Sequence, residues 1–271
     1  MAQGPIVRLS DDFFVCDKEE ADLSMKLPIL QVDPADIPAY ALTCGDPFRA
    51  AQIADKLEGA RELAFAREYR TFVGTYDGVR LAVVSHGVGS AGAAVCFEEL
   101  ARAGVKTLVR VGTAGSLAFD RYPSGSLIVS TAAGREEGLT KQLVPAGFPA
   151  VADIAVTEAL YREAKALGGG PVGKGVTVTL DAFYSGVLEL PLRRYAAAGA
   201  LAVEMEIAAL YVVAALRGMR AGAILAIDGD ATGVDTEYNP HRDVVRQAVE
   251  REIIAALRAL ASLAREEAAP A

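Results

Sequence analysis

Apolar residues in this chain fall in short runs that alternate with longer stretches of helical spacing. Residues 40–44 predict a strand that stops at Gly45-Asp46-Pro47, and residues 49–57 predict a helix. Strand-like runs follow over 69–76 and 79–85, joined by Asp77-Gly78, a pair that tolerates the positive φ of a tight hairpin turn. The pattern then predicts a helix over 91–103, a strand over 105–111 ending at a glycine turn, and a strand over 125–133. A helix over 153–167, a strand over 175–180, a long helix over 201–217 and a strand over 221–227 complete the alternation. Residues 244–267 predict an amphipathic helix, with Val245, Ala248, Ile253, Ile254 and Leu257 on its apolar stripe. Residues 1–39 mix acids, prolines and isolated apolar residues and read as an N-terminal arm; residues 40–271 read as one domain without an internal repeat. Strands alternating with helices predict a three-layer α/β/α fold around a mixed central sheet. Glycines gather at the strand ends, where such folds place ligands.

Composition narrows the partners. With 52% hydrophobic and 23% charged residues among 271, a sizeable core is available and global disorder is excluded. Lys and Arg total 27 against 35 Asp and Glu, a net charge of -8, which argues against a nucleic-acid partner. Any anion must then be held locally by a few convergent donors. Cys16, Cys44 and Cys96 lack CxxC or metal spacing, so free thiols in a reducing compartment and no metal are expected. No signal-peptide pattern and no bilayer-length apolar run is found, so the expectation is a cytoplasmic protein without membrane contact.

Three arginines sit in small glycine-containing or polar frames: Arg49 in Gly45-Asp46-Pro47-Phe48-Arg49, Arg67 in Ala66-Arg67-Glu68-Tyr69, and Arg110 before Val111-Gly112-Thr113-Ala114-Gly115. A guanidinium grips a phosphate oxygen pair through parallel charge-assisted hydrogen bonds, so their convergence would make a site for a small oxyanion such as inorganic phosphate. Gly45 and Arg49 alone are equally an ordinary turn with a surface arginine. Arg110 is stronger, because an arginine ending a buried strand is costly unless it meets an anion, and Thr113 adds a hydroxyl and an N–H. The loop Ser85-His86-Gly87-Val88-Gly89-Ser90 lacks P-loop and dinucleotide spacing, and tight helix-on-sheet packing explains it; His86 reads as a satisfied buried histidine.

Val203-Glu204-Met205-Glu206 opens the predicted long helix in apolar surroundings. A carboxylate there can accept a vicinal sugar diol, or can simply favour the helix dipole. Asp228 ends an apolar strand, at the edge of a site or in a plain Asp-Gly turn. Phe183 and Tyr184 form a flat wall for a ring or belong to the core, and the core is expected for one of them.

Taken in order, these motifs resemble the hexamer-forming branch of the nucleoside phosphorylase superfamily, which includes uridine phosphorylases and bacterial-type purine nucleoside phosphorylases. The likeness rests also on Phe97-Glu98-Glu99-Leu100 and Phe148-Pro149-Ala150-Val151-Ala152-Asp153, and runs from about residue 40 to 227. Residues 85–100 and Ile227-Asp228-Gly229 look most like the enzymes of apicomplexan parasites. The resemblance implies a pentosyltransferase that exchanges a nucleoside's base for inorganic phosphate, a co-substrate, with no cofactor. It implies phosphate on Gly45, Arg49, Arg110 and Thr113, with Arg67 reaching in from a neighbouring subunit of a dimer-based hexamer. It places Met205 against the ribose, Glu206 on its 2′- and 3′-hydroxyls, and Phe183, Val203 and Glu204 around the base. Asp228 would act on purine N7 as the general acid, and Arg110 and Glu206 would also serve the chemistry.

Two departures bear on substrate. Uridine phosphorylases read uracil with a glutamine and an arginine where this chain has Val187 and Glu189, which favours a purine; uridine phosphorylase is the alternative. Most relatives supply an N-terminal histidine to the 5′-hydroxyl, and none stands near Ile29. A nucleosidase has no need of three phosphate arginines, and a non-catalytic nucleoside-binding protein has no need of Glu206 and Asp228.

Overall fold

The computed structural model of the chain describes residues 26–233 and 241–268. Among these, the strands are β1 (Tyr40–Cys44), β2 (Glu58–Ala66), β3 (Tyr69–Tyr76), β4 (Val79–Ser85), β5 (Thr107–Ser116), β6 (Leu127–Arg135), β7 (Ala150–Val151), β8 (Val172–Thr179), β9 (Ala202–Glu204) and β10 (Arg220–Asp230). The helices are α1 (Pro47–Ala54), α2 (Ser90–Arg102), α3 (Leu139–Leu143), α4 (Ile154–Leu167), α5 (Leu192–Ala197), α6 (Ile207–Arg217) and α7 (Asp243–Ala268).

Successive strand residues point to opposite faces, and the central strands are apolar on both. Ala41, Ala82, Val84, Leu108, Ala223 and Leu225 share a core with α2 and α6. Their neighbours Leu42, Leu81, Val83, Val109 and Ile224 share a second core with α1, α4 and α7. This is the expected three-layer α/β/α arrangement. The sheet is mixed, in the order β10-β6-β8-β9-β5-β1-β4-β3-β2, and β10 also pairs with β5, so part of it closes into a ring. The parallel strands β1, β4, β5 and β10 carry the loops that build the site.

Local chemistry sets the boundaries. Asp46 caps α1 by accepting the Phe48 N–H at 2.8 Å, with Pro47 pre-set for the first turn. Asp153 does the same for α4 through the Val156 N–H, and α6 ends where Gly218 turns left-handed. Asp77 and Gly78 both have positive φ, the geometry of the expected β3–β4 hairpin turn.

Several expectations are corrected. The predicted long helix over 201–217 is a short strand, β9, followed by a helix that begins only at Ile207. Val203 and Ala202 pair with Gly115 and Ser116 of β5, and the Glu204 carboxylate takes the N–H groups of Glu206 and Ile207. The strand expected over 105–111 continues to Ser116, so Arg110 lies within it and Gly112 is a strand residue, not a turn. The largely exposed edge strand β2 was not expected at all. Neither Phe183 nor Tyr184 is in the core: they are 53% and 85% exposed on the irregular segment after β8. Within the expected arm, Leu27, Leu30, Val32 and Ile37 are buried in the α2–α6 core. Residues 1–25 of the arm, Cys16 among them, and residues 234–240 and 269–271 lie outside the described residues, and Cys44 and Cys96 are free and buried.

Candidate active site

The C-terminal ends of β1, β5 and β10, with the start of α6, surround a cavity of about 810 Å³. Gly45, Arg49, Arg110, Thr113, Phe183, Val203, Glu204, Met205, Glu206 and Asp228 all line it. Arg67 does not: it is exposed, at φ 56°, in the tight turn between β2 and β3. The structure therefore brings together ten of the eleven sequence-predicted residues from five separate stretches of chain.

Arg110 is the centre of the buried charge. It is 4% exposed, and its guanidinium pairs with Glu206 and lies 3.4 Å from Glu204. Gly112 makes this possible, because a Cβ there would lie 2.5 Å from Arg110 Nη1. Burial acts against the arginine's charge, but the two carboxylates outweigh it and hold the guanidinium ionised. Its Nε has no hydrogen-bond partner, an unmet donor in a dry place.

The two carboxylates have different surroundings. Glu204 Oε1 accepts the Thr179 hydroxyl at 2.6 Å, and both of its oxygens bond amides at the start of α6. Burial nevertheless raises its pKa above the ordinary range, with Arg110 opposing. Glu206 accepts the Gly89 N–H at 2.6 Å, a contact reached because Gly89 sits at φ 96° ahead of α2. Ser90 donates to the Met205 carbonyl at 2.8 Å, so the glycine loop pins the Met205–Glu206 turn as well as packing helix on sheet.

Asp228 owes its direction to a β-bulge. In the β5–β10 ladder Ile227 faces Ala114 and Gly229 faces Gly115, leaving Asp228 as the extra residue. Arg242, just before α7, donates to the Asp228 carbonyl at 3.0 Å and fixes that backbone. Leu180, Leu190, Leu192 and Val203 give this side of the cavity an apolar wall. Val187 and Glu189 are exposed and do not line it.

His86 is fully buried, touches the Gly87 carbonyl through Nδ1 at 2.9 Å and meets Phe97 edge-on. Burial, with Arg110 nearby, lowers its pKa to about 4, so it is a neutral packing residue at neutral pH, as expected. Among the described residues no cluster of His, Cys, Asp and Glu is placed to hold a metal, and no helix is long and apolar enough to cross a membrane.

Sequence reasoning missed Glu68, which lines the cavity, and Glu252, which stands behind it. Glu252 lies 3.9 Å from Arg49 Nη1 and is completely buried on α7. The signal was present: Glu252 falls on the stripe of Val245, Ala248, Ala255 and Ala259, where an acid does not belong without a reason.

Comparison with known proteins agrees with the geometry. The sequence profile of the phosphorylase superfamily matches residues 39–261. The chain is 37% identical over 241 residues to the purine nucleoside phosphorylase of Plasmodium falciparum, covering 87% of this chain and 96% of that one. It is 40% identical over 206 residues to the uridine phosphorylase of Thermococcus kodakarensis, covering 72% and 74%. The structure of purine nucleoside phosphorylase from Toxoplasma gondii in complex with immucillin-H superposes with a TM-score of 0.85 at 34% identity, over 89% of this chain and 97% of that one.

Proposed function

We infer that this chain, which belongs to the phosphorylase superfamily, is a nucleoside phosphorylase that acts on a purine nucleoside, releasing the base and ribose 1-phosphate. The observation that carries this is the meeting of Arg49, Arg110 and Thr113 with Glu206 and Asp228 in one cavity. Two guanidiniums, a hydroxyl and the backbone at Gly45 suit a phosphate dianion. Glu206 suits a vicinal diol, with Met205 against the sugar. The base then lies on the apolar wall near Phe183, where flat aromatic surface is desolvated. Glu204 frames this pocket rather than reaching into it, since Arg110 and the α6 amides engage its oxygens.

Phosphate attacks C1′ as the glycosidic bond loosens, and positive charge grows on the ribose. The phosphate dianion and Glu206 stabilise that charge in a water-poor site. The base departs with an electron pair, and a proton shared from Asp228 to the purine makes it a better leaving group, an effect typically worth ~10²–10⁴-fold. The purine preference rests on Asp228, which lines the cavity.

The decisive assay measures cleavage of inosine, guanosine, adenosine and uridine with and without phosphate. Purine release that requires phosphate is expected. Uridine cleavage alone would overturn the purine assignment, and phosphate-independent release would indicate a nucleosidase. Nucleoside binding without any cleavage would leave only a binding protein.

Arg67, exposed and outside its own cavity, is assigned to the site of a neighbouring subunit in a dimer-based, hexameric enzyme. Mixing Arg67→Ala with Asp228→Ala subunits should restore activity in one of the two shared sites. No recovery despite proven subunit exchange would remove Arg67 from the mechanism. The same reading places the enzyme in the cytoplasm, in nucleoside salvage.

A further inference from the structure

Behind the phosphate side of the cavity lies a carboxylate that the reaction does not use. Glu252 projects from α7 into the core shared with α1 and α4, is 0% exposed, and neither of its oxygens makes a close hydrogen bond. The favourable groups near it are the Arg49 guanidinium on α1, at 3.9 Å, the more distant Arg110 on β5, and the amides of Gly112 and Ala226. The Cys44 thiol on β1 also faces it, and burial pushes that thiol up to about 12, so it brings no charge. β4 and α4 contribute Leu81, Val83, Val156 and Leu160 to this core, and Tyr161 of α4 packs against its edge.

An ionised carboxylate so placed is several kcal/mol short of what it had in water, and one guanidinium at 3.9 Å does not make up the difference. Arg49 also lines the cavity, so the same guanidinium faces the ligand on one side and Glu252 on the other. Two anions then compete for one cation in a low dielectric, where like charges force one of the pair to take a proton.

We propose that Glu252 is a positioning residue of the phosphate site, and that phosphate binds with Glu252 as the neutral acid. Once ionised, its carboxylate draws Arg49 away from phosphate. The step moves no electrons: above about pH 8, where Glu252 has otherwise lost this proton, a solvent proton adds to one of its oxygens as the dianion docks and leaves when the dianion leaves; below it the proton is already in place. Burial pushes the Glu252 carboxyl up to about 8, with Arg49 opposing, so the competition sets in just above neutral pH. This inference rests on the phosphorylase reading.

The test uses the intact enzyme and inorganic phosphate. The KM for phosphate, at saturating nucleoside, is followed from about pH 6.5 to about pH 9.5 in the wild type and in Glu252→Gln. One linked proton predicts up to about a tenfold rise per pH unit above about pH 8 in the wild type. The glutamine variant should stay flat there. Calorimetric titration of phosphate in two buffers of different ionisation heat, near pH 8.5, counts the proton directly. The wild type should take up a substantial fraction of one proton. Phosphate binding without proton uptake, or identical pH profiles in the two proteins, would overturn the proposal while leaving the phosphorylase reading intact. The calorimetric arm needs only the wild type, so it decides even if the variant fails to fold. No phosphate binding and no phosphate-dependent cleavage would overturn both.

Discussion

Glu99 and Glu252 are both carboxylates buried on helices, and their surroundings differ sharply. Glu99, on α2, accepts the N–H groups of Ile29 and Leu30 at 2.8–3.2 Å and so fastens the segment before β1. Glu137 is buried in the same saturated manner, accepting from the Thr140 amide and hydroxyl. Around the cavity the accounts do not close: Glu252 has no close donor, and Arg110 has an Nε with no partner. Saturated polar groups such as Glu99 and Glu137 hold the scaffold. Of the four described residues with unmet buried polar side-chain atoms, Arg110 and Glu252 stand at or behind the cavity, and Thr71 and Ser126 lie away from it.

Substitutions can break this contrast or sharpen it. The largest effect is expected from Asp228→Asn, which should lower kcat on a purine nucleoside by ~10²–10⁴-fold while leaving the melting temperature close to that of the wild type. Comparable activities in a steady-state assay would strip Asp228 of its acid role. Arg110→Met should damage both properties, because Glu204 and Glu206 lose their shared cation; a buried pair broken in this way costs about 3–5 kcal/mol. Denaturant titration beside the phosphate KM reads both losses. Glu99→Ala tests the other side, with about 1–3 kcal/mol lost from stability for the unsatisfied amides and kcat/KM unchanged. A catalytic defect there would show that scaffold and site are not separable.

The contrast also predicts a pH response of stability, spread over several pH units. The folded-state pKa of Glu252 is raised from an ordinary 4.5 to about 8, so the folded protein keeps a proton that the unfolded chain has released. Its stabilising contribution is therefore present below about pH 4.5 and drains away as pH rises towards 8. Each unit of that window is worth up to about 1.4 kcal/mol. Urea midpoints at several pH values should fall across the window in the wild type and less so in Glu252→Gln; parallel curves would contradict the burial argument.

Much of the fold was legible because central strands announce themselves. The expected bounds of β1, β3 and β4 match those observed, since apolar runs are bracketed there by Gly45 and by Asp77-Gly78. What escaped did so for physical reasons. β2 is an exposed edge whose first half, with Glu58, Arg61 and Glu62, carries no apolar alternation to detect. β9, only three residues long, runs into α6, which is apolar on nearly every side, so no period marks where strand gives way to helix. The cavity residues were legible from their glycine frames and apolar context, but Glu252 stands far along the sequence from Arg49. Only the packing of α7 against the sheet brings them within 3.9 Å.

The ion pair between Arg110 and Glu206 has a thermodynamic consequence. Each residue serves as the other's partner. Under the proposed roles, phosphate would compete with Glu206 for Arg110 and a ribose diol would compete with Arg110 for Glu206, so whichever substrate arrives first would bear the cost of parting them. The second finds its anchor already released. Each substrate should therefore tighten the binding of the other by the same factor, because linkage is reciprocal. Under the proposed roles, a single buried pair would thus favour both substrates together over either one alone.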